Sequence, residues 1–346
     1  MKVAVYTIAK NEQQFVARWV KSARDADGLF ILDTGSTDDT VAIAASLDVT
    51  VEVQQFDPWR FDTARNAALA MIPAGFDYCI ALDMDEVLVE GWRYELEKVP
   101  SNVTRPRYRY TWSWENGKPG LVYGGDKIHA REGYVWKHPV HEVVTPIDSE
   151  TQAWCGLEIH HFPDHTKSRG HYFPLLELAV EEDPYDDRNA HYLAREYFFN
   201  GMMAKAEAEF KRHLNLPTAK WGPERAQSCR YLYKITGDAS WLRTAVYEAP
   251  DRREAWVDLA QHYHDWKAWS ECLSAAVGAL RITQRPLEYL TEAFAWGSLP
   301  HDLAAIAAYN MGYFHEARYQ GMEALKLSPY DDRLAANYKF YSEAAA

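Results

Sequence analysis

Asp83-Met84-Asp85-Glu86 places three carboxylates within four residues, directly after the apolar run Tyr78-Cys79-Ile80-Ala81-Leu82. Carboxylates packed this closely repel one another unless a cation compensates them. Mg2+ and Mn2+ prefer carboxylate and water oxygens, and they bridge proteins to phosphates. A strand-end Asp-x-Asp therefore suits a metal–diphosphate complex, although acidic turns after strands are also common without any ion. Three further polar segments accompany it. Thr7-Ile8-Ala9-Lys10-Asn11-Glu12 and Asp33-Thr34-Gly35-Ser36-Thr37-Asp38-Asp39-Thr40 each follow an apolar run and open a helical pattern. In the second, Asp33 is placed to accept hydrogen bonds from a base or ribose, and Gly35 lets backbone approach a ligand. Helix capping is the simpler reading of Ser36 and Thr37. Arg60-Phe61-Asp62-Thr63-Ala64-Arg65-Asn66 interrupts the next strand-to-helix passage. There Arg65 could pair bidentately with a phosphate or simply be a solvated surface arginine.

The elements that must position these groups alternate. Short apolar runs predict strands over Lys2–Ile8, Gly28–Leu32, Val49–Val53 and Tyr78–Leu82. Apolar residues at helical spacing, such as Phe15, Val16, Trp19, Val20 and Ala23, predict helices over Glu12–Ala23, Thr40–Leu47 and Phe61–Met71. Ser36-Thr37-Asp38 supplies N-cap chemistry for the second helix. Alternating strands and helices imply a mostly parallel sheet with helices on both faces, and ligands then sit outside the carboxyl ends of the strands. From about Glu90 to Thr166 the pattern changes to short β-rich pieces with an Asn116-Gly117 turn signal, read as strands and loops closing over the sheet.

From about Gly170 the chain turns helical and repetitive. Leu193, Ala194, Tyr197, Gly201, Ala206, Phe210 and Pro217 form one unit. Trp256, Leu259, Ala260, Tyr263, Cys272, Ala276 and Ala279 form another, and Gly312, Ala317, Ala324 and Pro329 a third. Pro223–Pro250 fits a degenerate unit with Gly237 at its turn. Pro184-Tyr185-Asp186-Asp187-Arg188 recurs as Pro329-Tyr330-Asp331-Asp332-Arg333, each copy standing where a helix begins. Small residues at such spacings let antiparallel helices approach, as in tetratricopeptide (TPR) repeats. The domain expectation is an α/β unit over 1–168 and an all-α repeat unit over 169–346.

The bulk numbers agree with two globular domains: 346 residues, 47% hydrophobic and 25% charged. Aromatic residues reach 14%, which suits repeat packing first and a sugar-binding surface second. The net charge of −13 makes nucleic acid or anionic membrane a poor electrostatic partner, without closing the case. Cys79, Cys155, Cys229 and Cys272 stand far apart and form no Cys-x-x-Cys pair, so they read as reduced thiols of a cytoplasmic protein. The amino end opens into a strand-like run without signal-peptide pattern, and no apolar stretch has the length of a membrane span.

Taken in order, Ile8-Ala9-Lys10-Asn11-Glu12, Leu32-Asp33-Thr34-Gly35-Ser36-Thr37-Asp38, Phe61-Asp62-Thr63-Ala64-Arg65-Asn66 and Leu82-Asp83-Met84-Asp85-Glu86 resemble the signature of family 2 glycosyltransferases, which have the GT-A fold. The nearest resemblance is to a bacterial subgroup with a TPR-like carboxyl-terminal region. The usual Asp-Ala-Asp-Glu of the DXD motif stands here as Asp-Met-Asp-Glu. The resemblance implies that Thr7, Ala9, Asn11 and Glu12 line the nucleotide and that Asp33 holds base or ribose. It implies that Asp62, Arg65 and Asn66 face uracil or diphosphate, that Asp83 touches ribose or sugar and shares in the metal site, and that Asp85 ligates the metal, Mn2+ or Mg2+. Tyr134-Val135-Trp136-Lys137-His138-Pro139-Val140-His141-Glu142 resembles the family's second conserved block. A histidine returning to the metal is expected of this fold. His141 and the pair His160-His161 are both candidates, with His141 and His161 taken as ligands, against the plainer reading of a histidine bonded to a backbone carbonyl. Glu142 is the expected general base, with Glu86 and Asp126 as competitors.

The implied reaction is inverting, metal-dependent transfer of a sugar, by default a hexose from its UDP derivative, with Trp112-Ser113-Trp114-Glu115-Asn116-Gly117 as an aromatic lid. The acceptor stays open among glycan, peptide and protein docked by the repeats, and two chains could pair through them as a homodimer. The principal alternative is a TPR-type interaction module with a catalytically silent GT-A domain. A nucleotidyltransferase ranks lower, because Ile8–Glu12 lacks the Gly-rich basic loop such enzymes carry.

Overall fold

The computed structural model describes residues 1–164 and 172–346. Residues 165–171, on which the expected 168/169 domain boundary falls, lie outside the described residues. Two compact units are present, Met1–Glu182 with Leu287–Tyr289, and Asp183–Pro286 with Leu290–Ala346.

The first unit begins with β1 (Val3–Ala9), α1 (Gln13–Ala23), β2 (Gly28–Asp33), α2 (Thr40–Ser46), β3 (Thr50–Val53), α3 (Phe61–Ala70) and β4 (Tyr78–Ala81). These match the expected elements to within a residue or two. Next come β5 (Glu86–Leu88), α4 (Trp92–Glu97), β6 (Arg105–Thr111), β7 (Trp114–Glu115), β8 (Lys118–Pro119), β9 (Val122–Gly125) and β10 (Ile128–Ala130). β11 (Tyr134–Lys137), β12 (Val143–Pro146), β13 (Gln152–His161) and α5 (Tyr172–Glu182) complete the unit.

The main sheet has the order β10-β4-β1-β2-β3, parallel except for the edge strand β10. β1, β2 and β4 are apolar on both faces because both faces are covered, whereas the edge strand β3 is largely exposed. Val3, Val5, Ile31 and Ile80 pack with Val16 and Trp19 of α1, Ala44 of α2, Trp92 and Leu96 of α4, and Tyr108, Leu157 and Ile159 from the second sheet. The alternate residues Ala4, Tyr6, Phe30, Leu32, Cys79 and Ala81 pack with Ala68, Leu69, Tyr134 and Trp136. Burying each large apolar side chain contributes roughly 1.5–3 kcal/mol. Helices on both faces of a mostly parallel sheet are thus borne out.

The region after Glu90 is more ordered than its sequence pattern implied. β5, β13, β6 and β9 form a second sheet in that order, in which β6 and β13 run parallel. The Asn116-Gly117 turn signal closes the β7–β8 hairpin, both residues having positive φ, 50° and 76°.

The second unit comprises α6 (Asp187–Phe199), α7 (Met203–Asn215), α8 (Gly222–Thr236), α9 (Ser240–Glu248), α10 (Arg253–Asp265), α11 (Trp269–Leu280), α12 (Leu299–Asn310), α13 (Phe314–Leu327) and α14 (Asp332–Ala344). Consecutive helices pack against one another in pairs, and each pair contacts the next. Fully buried Ala194, Ala206, Ala260, Ala276, Ala304 and Ala317 mark the close approaches, and Phe210 stacks on Tyr231. Gly237, with φ 73°, ends α8 at the turn the sequence assigned to it. Both copies of the Pro-Tyr-Asp-Asp-Arg segment cap a helix: the Asp186 carboxylate accepts from the Asn189 amide, and Asp331 does the same for Leu334. A helical repeat unit is borne out.

Candidate active site

β4 lies beside β1 at the centre of the main sheet, so its carboxyl end opens beside the loops after β1 and β2. The acidic segment there is a tight turn, closed by the Glu86 amide donating to the Asp83 carbonyl at 2.9 Å. Met84 is buried in the core, and the turn is braced where the Trp19 indole donates to the Leu82 carbonyl at 2.9 Å. Met84 therefore anchors the turn, while Asp83 and Asp85 keep side-chain exposures of 30% and 28%.

Asp83 is neutralised within the protein. Arg65 Nη2 donates to its Oδ1 at 2.5 Å and Lys127 Nζ to its Oδ2 at 2.6 Å. Burial works to raise this carboxyl, but the charges of Arg65 and Lys127 prevail and hold it well below the usual carboxylate range. Lys127 also reaches Glu86 at 3.2 Å, and the same Glu86 oxygen accepts from the Tyr110 hydroxyl at 2.6 Å. Burial pushes the Glu86 carboxyl up, against the pull of Lys127. With 1% exposure and three donors on it, Glu86 braces the turn.

Arg65 lies nearly buried on α3. Its Nε donates to Glu142 Oε1 at 2.9 Å, its guanidinium carbon lies 5.1 Å from the centre of the Trp136 ring, and Nη1 is buried without a hydrogen-bond partner among the described residues. The surface reading of Arg65 is thereby overturned. Behind it, the Trp136 indole donates to Tyr6 at 2.8 Å, and Tyr6 in turn bonds His129 at 3.0 Å.

Asp85 meets His161. Nδ1 of His161 faces the Trp112 carbonyl at 3.0 Å, which fixes a proton on that nitrogen, and Nε2 lies 3.3 Å from Asp85 Oδ2. The remaining pair, a ring nitrogen and a carboxylate oxygen, requires a proton or a metal ion between them. Burial opposes protonation of His161, but its bonds to Asp85 and to the Trp112 carbonyl outweigh burial and raise its pKa above the ordinary histidine value. The Trp112 ring stacks on the imidazole at 4.4 Å, and the Trp114 indole donates to the His161 carbonyl at 3.1 Å. The segment expected as a lid thus clamps His161.

Two other residues expected as metal ligands have different partners. Both oxygens of Asp83 are taken by cations. His141 has φ 49° and packs edge-on to Tyr172. Neither joins Asp85 and His161 in a cluster of three ligand atoms among the described residues.

Residues 4–99 match the family model of glycosyl transferase family 2. An uncharacterized glycosyltransferase of Rickettsia conorii is 31% identical over 108 residues, which are 31% of this chain and 37% of that protein. One from Rickettsia felis matches equally, at 31% over 108 residues and the same two shares. The chain thus spans little more than a third of the length of the curated relatives it matches. Among solved structures, a thermophilic TPR protein from Thermus thermophilus covers 49% of this chain and 88% of its own, with 20% identity and a TM-score of 0.32. Glucosyl-3-phosphoglycerate synthase from Mycobacterium tuberculosis, solved with Mn2+, UDP-glucose and phosphoglyceric acid, covers 32% and 44%, with 22% identity and a TM-score of 0.26. The resemblance to family 2 glycosyltransferases is borne out over the amino-terminal region.

Within this glycosyltransferase-like unit, the other expected nucleotide contacts hold the strand-end loops together. Thr7 is fully buried, its hydroxyl on the Ile8 carbonyl, so its side chain does not line a ligand cleft. The Ala9 carbonyl accepts from Thr34 at 2.8 Å. Asn11, at φ 55°, accepts from the Thr37 amide at 2.7 Å, and its own amide donates to Ser36 Oγ at 2.8 Å. The Glu12 amide donates to Thr40 Oγ1 at 2.7 Å. Asp33 is buried and folds back on its own loop, accepting from the amides of Gly35 at 2.9 Å and Ser36 at 2.8 Å. The expected cap for α2 differs accordingly. Asp39 occupies the cap position without a side-chain bond, Ser36 and Thr37 reach across to Asn11, and only Asp38 serves α2, accepting from the Thr40 amide at 3.0 Å. Asp62 is gripped by Arg60 through two bonds of 3.0 and 2.8 Å. Asn66 pairs with both backbone groups of Trp136 at 2.9 Å, binding α3 to β11.

Sequence reasoning missed Lys127, Tyr110 and Trp136 as parts of the site. Lys127 follows a Gly124-Gly125 pair beside an exposed Asp126, and nothing local sets it apart from a surface lysine.

Proposed function

We propose that this chain is a metal-dependent glycosyltransferase that moves a sugar, by default a hexose from UDP-hexose, to an acceptor with inversion at the anomeric carbon. The observation that carries the reading is the pair Asp85 and His161, an oxygen and a ring nitrogen set 3.3 Å apart with the other ring nitrogen committed to a backbone carbonyl. The Asp85 carboxylate suits Mn2+ or Mg2+, which keep waters and phosphate oxygens, and the single imidazole favours Mn2+ of the two. Such an ion, when bound, neutralises charge developing on the diphosphate leaving group.

The chain's own residues do the rest. Arg65, with an unused buried Nη1, and Lys127 present positive charge beside the acidic turn, where they favour a diphosphate. Glu142 is tied to Arg65 through Oε1, and we assign its other oxygen to accepting the acceptor's proton. Asp33, Asn11 and Glu12 belong to loops whose exposed edges receive the nucleoside. The helical unit's role is to dock the acceptor, a glycan, peptide or protein; exposed Tyr247, Trp266 and Tyr330 suit such contacts.

Release of UDP from UDP-hexoses in the presence of Mn2+ tests this. Wild type should release it, and Asp85→Ala should lose the activity by about 100-fold or more. A wild-type chain that neither binds nor cleaves any nucleotide sugar with Mn2+ supports the interaction-module reading instead.

A further inference from the structure

Away from the acidic turn, within the helical unit, Asp187, His213 and Glu224 bring one ligand atom each within 4.8 Å of one another. They come from the first turn of α6, the last turn of α7 and the first turn of α8. Helix dipoles favour acids at amino ends and histidine at a carboxyl end, so each residue has a reason to be where it is. The dipoles do not explain why the three converge.

The bonding of His213 points to a ligand. This histidine is fully buried, and its Nε2 has no hydrogen-bond partner among the described residues, although Glu224 Oε1 lies 3.4 Å away. On its far side, Nδ1 lies 2.9 Å from Ser228 Oγ, which also lies 2.8 Å from Nδ1 of His191. One hydroxyl carries one proton, so at least one of these two Nδ1 atoms must donate to it. If His213 Nδ1 donates, its Nε2 presents a lone pair to the carboxylates, and Ser228 fixes that tautomer as an outer-shell partner does in metal sites. If Nε2 carried the proton, a short charge-assisted bond to Glu224 of about 2.8 Å is expected, and 3.4 Å is too long for it. Two ligands of a tetrahedral ion with bonds near ~2.1 Å stand about 3.4 Å apart.

We propose that Asp187, His213 and Glu224 form a divalent-cation site of zinc type, with one imidazole and two carboxylate ligands and an open fourth position, cross-linking α6, α7 and α8. Imidazole with carboxylate selects Zn2+ over Mg2+ or Ca2+. The site is independent of the sugar-transfer reading.

Zn2+ alone is the probe, with the full-length chain carrying Asp85→Ala so that the acidic turn contributes nothing. Equilibrium dialysis with atomic emission should find one zinc per chain, and Co2+ should give the visible bands of a four-coordinate ion. Adding His213→Phe or Glu224→Gln should abolish the zinc; the second, nearly isosteric change serves should the first impair folding by circular dichroism. Ser228→Ala should keep the stoichiometry and weaken affinity about 10–100-fold. The proposal is overturned if the Asp85→Ala chain binds no zinc, or if folded His213→Phe and Glu224→Gln chains bind it undiminished. Zinc bound by wild type but lost with Asp85→Ala alone likewise overturns it, while supporting the site at the acidic turn.

Discussion

Arg65 and Lys127 decide how the acidic turn behaves. Arg65 holds Asp83 and Glu142 together, so Arg65→Ala leaves two carboxylates facing each other without that cation. A loss of about 3 kcal/mol in urea unfolding is expected, and a change below about 0.5 kcal/mol argues that water replaces the guanidinium at no cost. Arg65→Lys restores the charge without the planar fork, so it should recover part of the stability and less of the activity. Lys127→Met should lower kcat/KM for the donor by about 100-fold while leaving Mn2+ affinity nearly intact, because Lys127 contacts Asp83 and Glu86 and not Asp85. The Asp-x-Asp spacing that singles out Asp83 and Asp85 stands in the sequence itself. The difference between the two residues does not, since it depends on a lysine 44 residues away in sequence.

At the scale of elements, β10 and β11 support α3 through the path from Trp136 to Tyr6 to His129, which ends where His129 Nδ1 meets the Ala130 carbonyl at 2.8 Å. Burial pushes His129 down to about 4. The unfolded chain binds a proton there near pH 6.5, so the stability this histidine contributes is complete above that pH. It is lost as pH falls from about 6.5 to about 4, by at most about 3 kcal/mol. Unfolding free energies measured across that range should fall less steeply for His129→Gln than for wild type; parallel slopes count against a neutral buried His129. β1, β2 and β4 were legible because each is a single apolar run bounded by turn residues, and β3 because Val49, Val51 and Val53 alternate with polar residues. The second sheet was not, because β6 alternates arginines with aromatics and finds its parallel partner β13 far along the chain, Arg105 opposite Gln152 and Arg109 opposite Glu158. Local pattern marks a strand but does not choose its neighbour. The loops were misread for the same reason: Ser36 and Thr37 bond Asn11, which belongs to another strand's end, where a sequence reading could only offer them the helix that follows.

For the whole molecule, the two units carry separate cores, and the repeat half was the easier to read because helix pairs are local in sequence. Hydrogen exchange with UDP and Mn2+ added should show new protection in the turns 33–40 and 83–86, and unchanged rates in α8–α13. Protection appearing only in the helices contradicts a donor site in the first unit. The paired cations also bear on how ligands arrive. The turn gathers four carboxylates, Asp83, Asp85, Glu86 and Glu142, against two permanent cations, Arg65 and Lys127, on a chain whose total charge is −13. Glu86 is buried with its carboxyl pushed up, so the balance facing solvent is Asp83, Asp85 and Glu142 against Arg65 and Lys127, with His161 beside Asp85. On the proposed reading a divalent ion supplies the positive charge that an arriving sugar diphosphate needs at this turn, so excess free nucleotide, by sequestering that ion in bulk solution, should slow release of UDP from the donor.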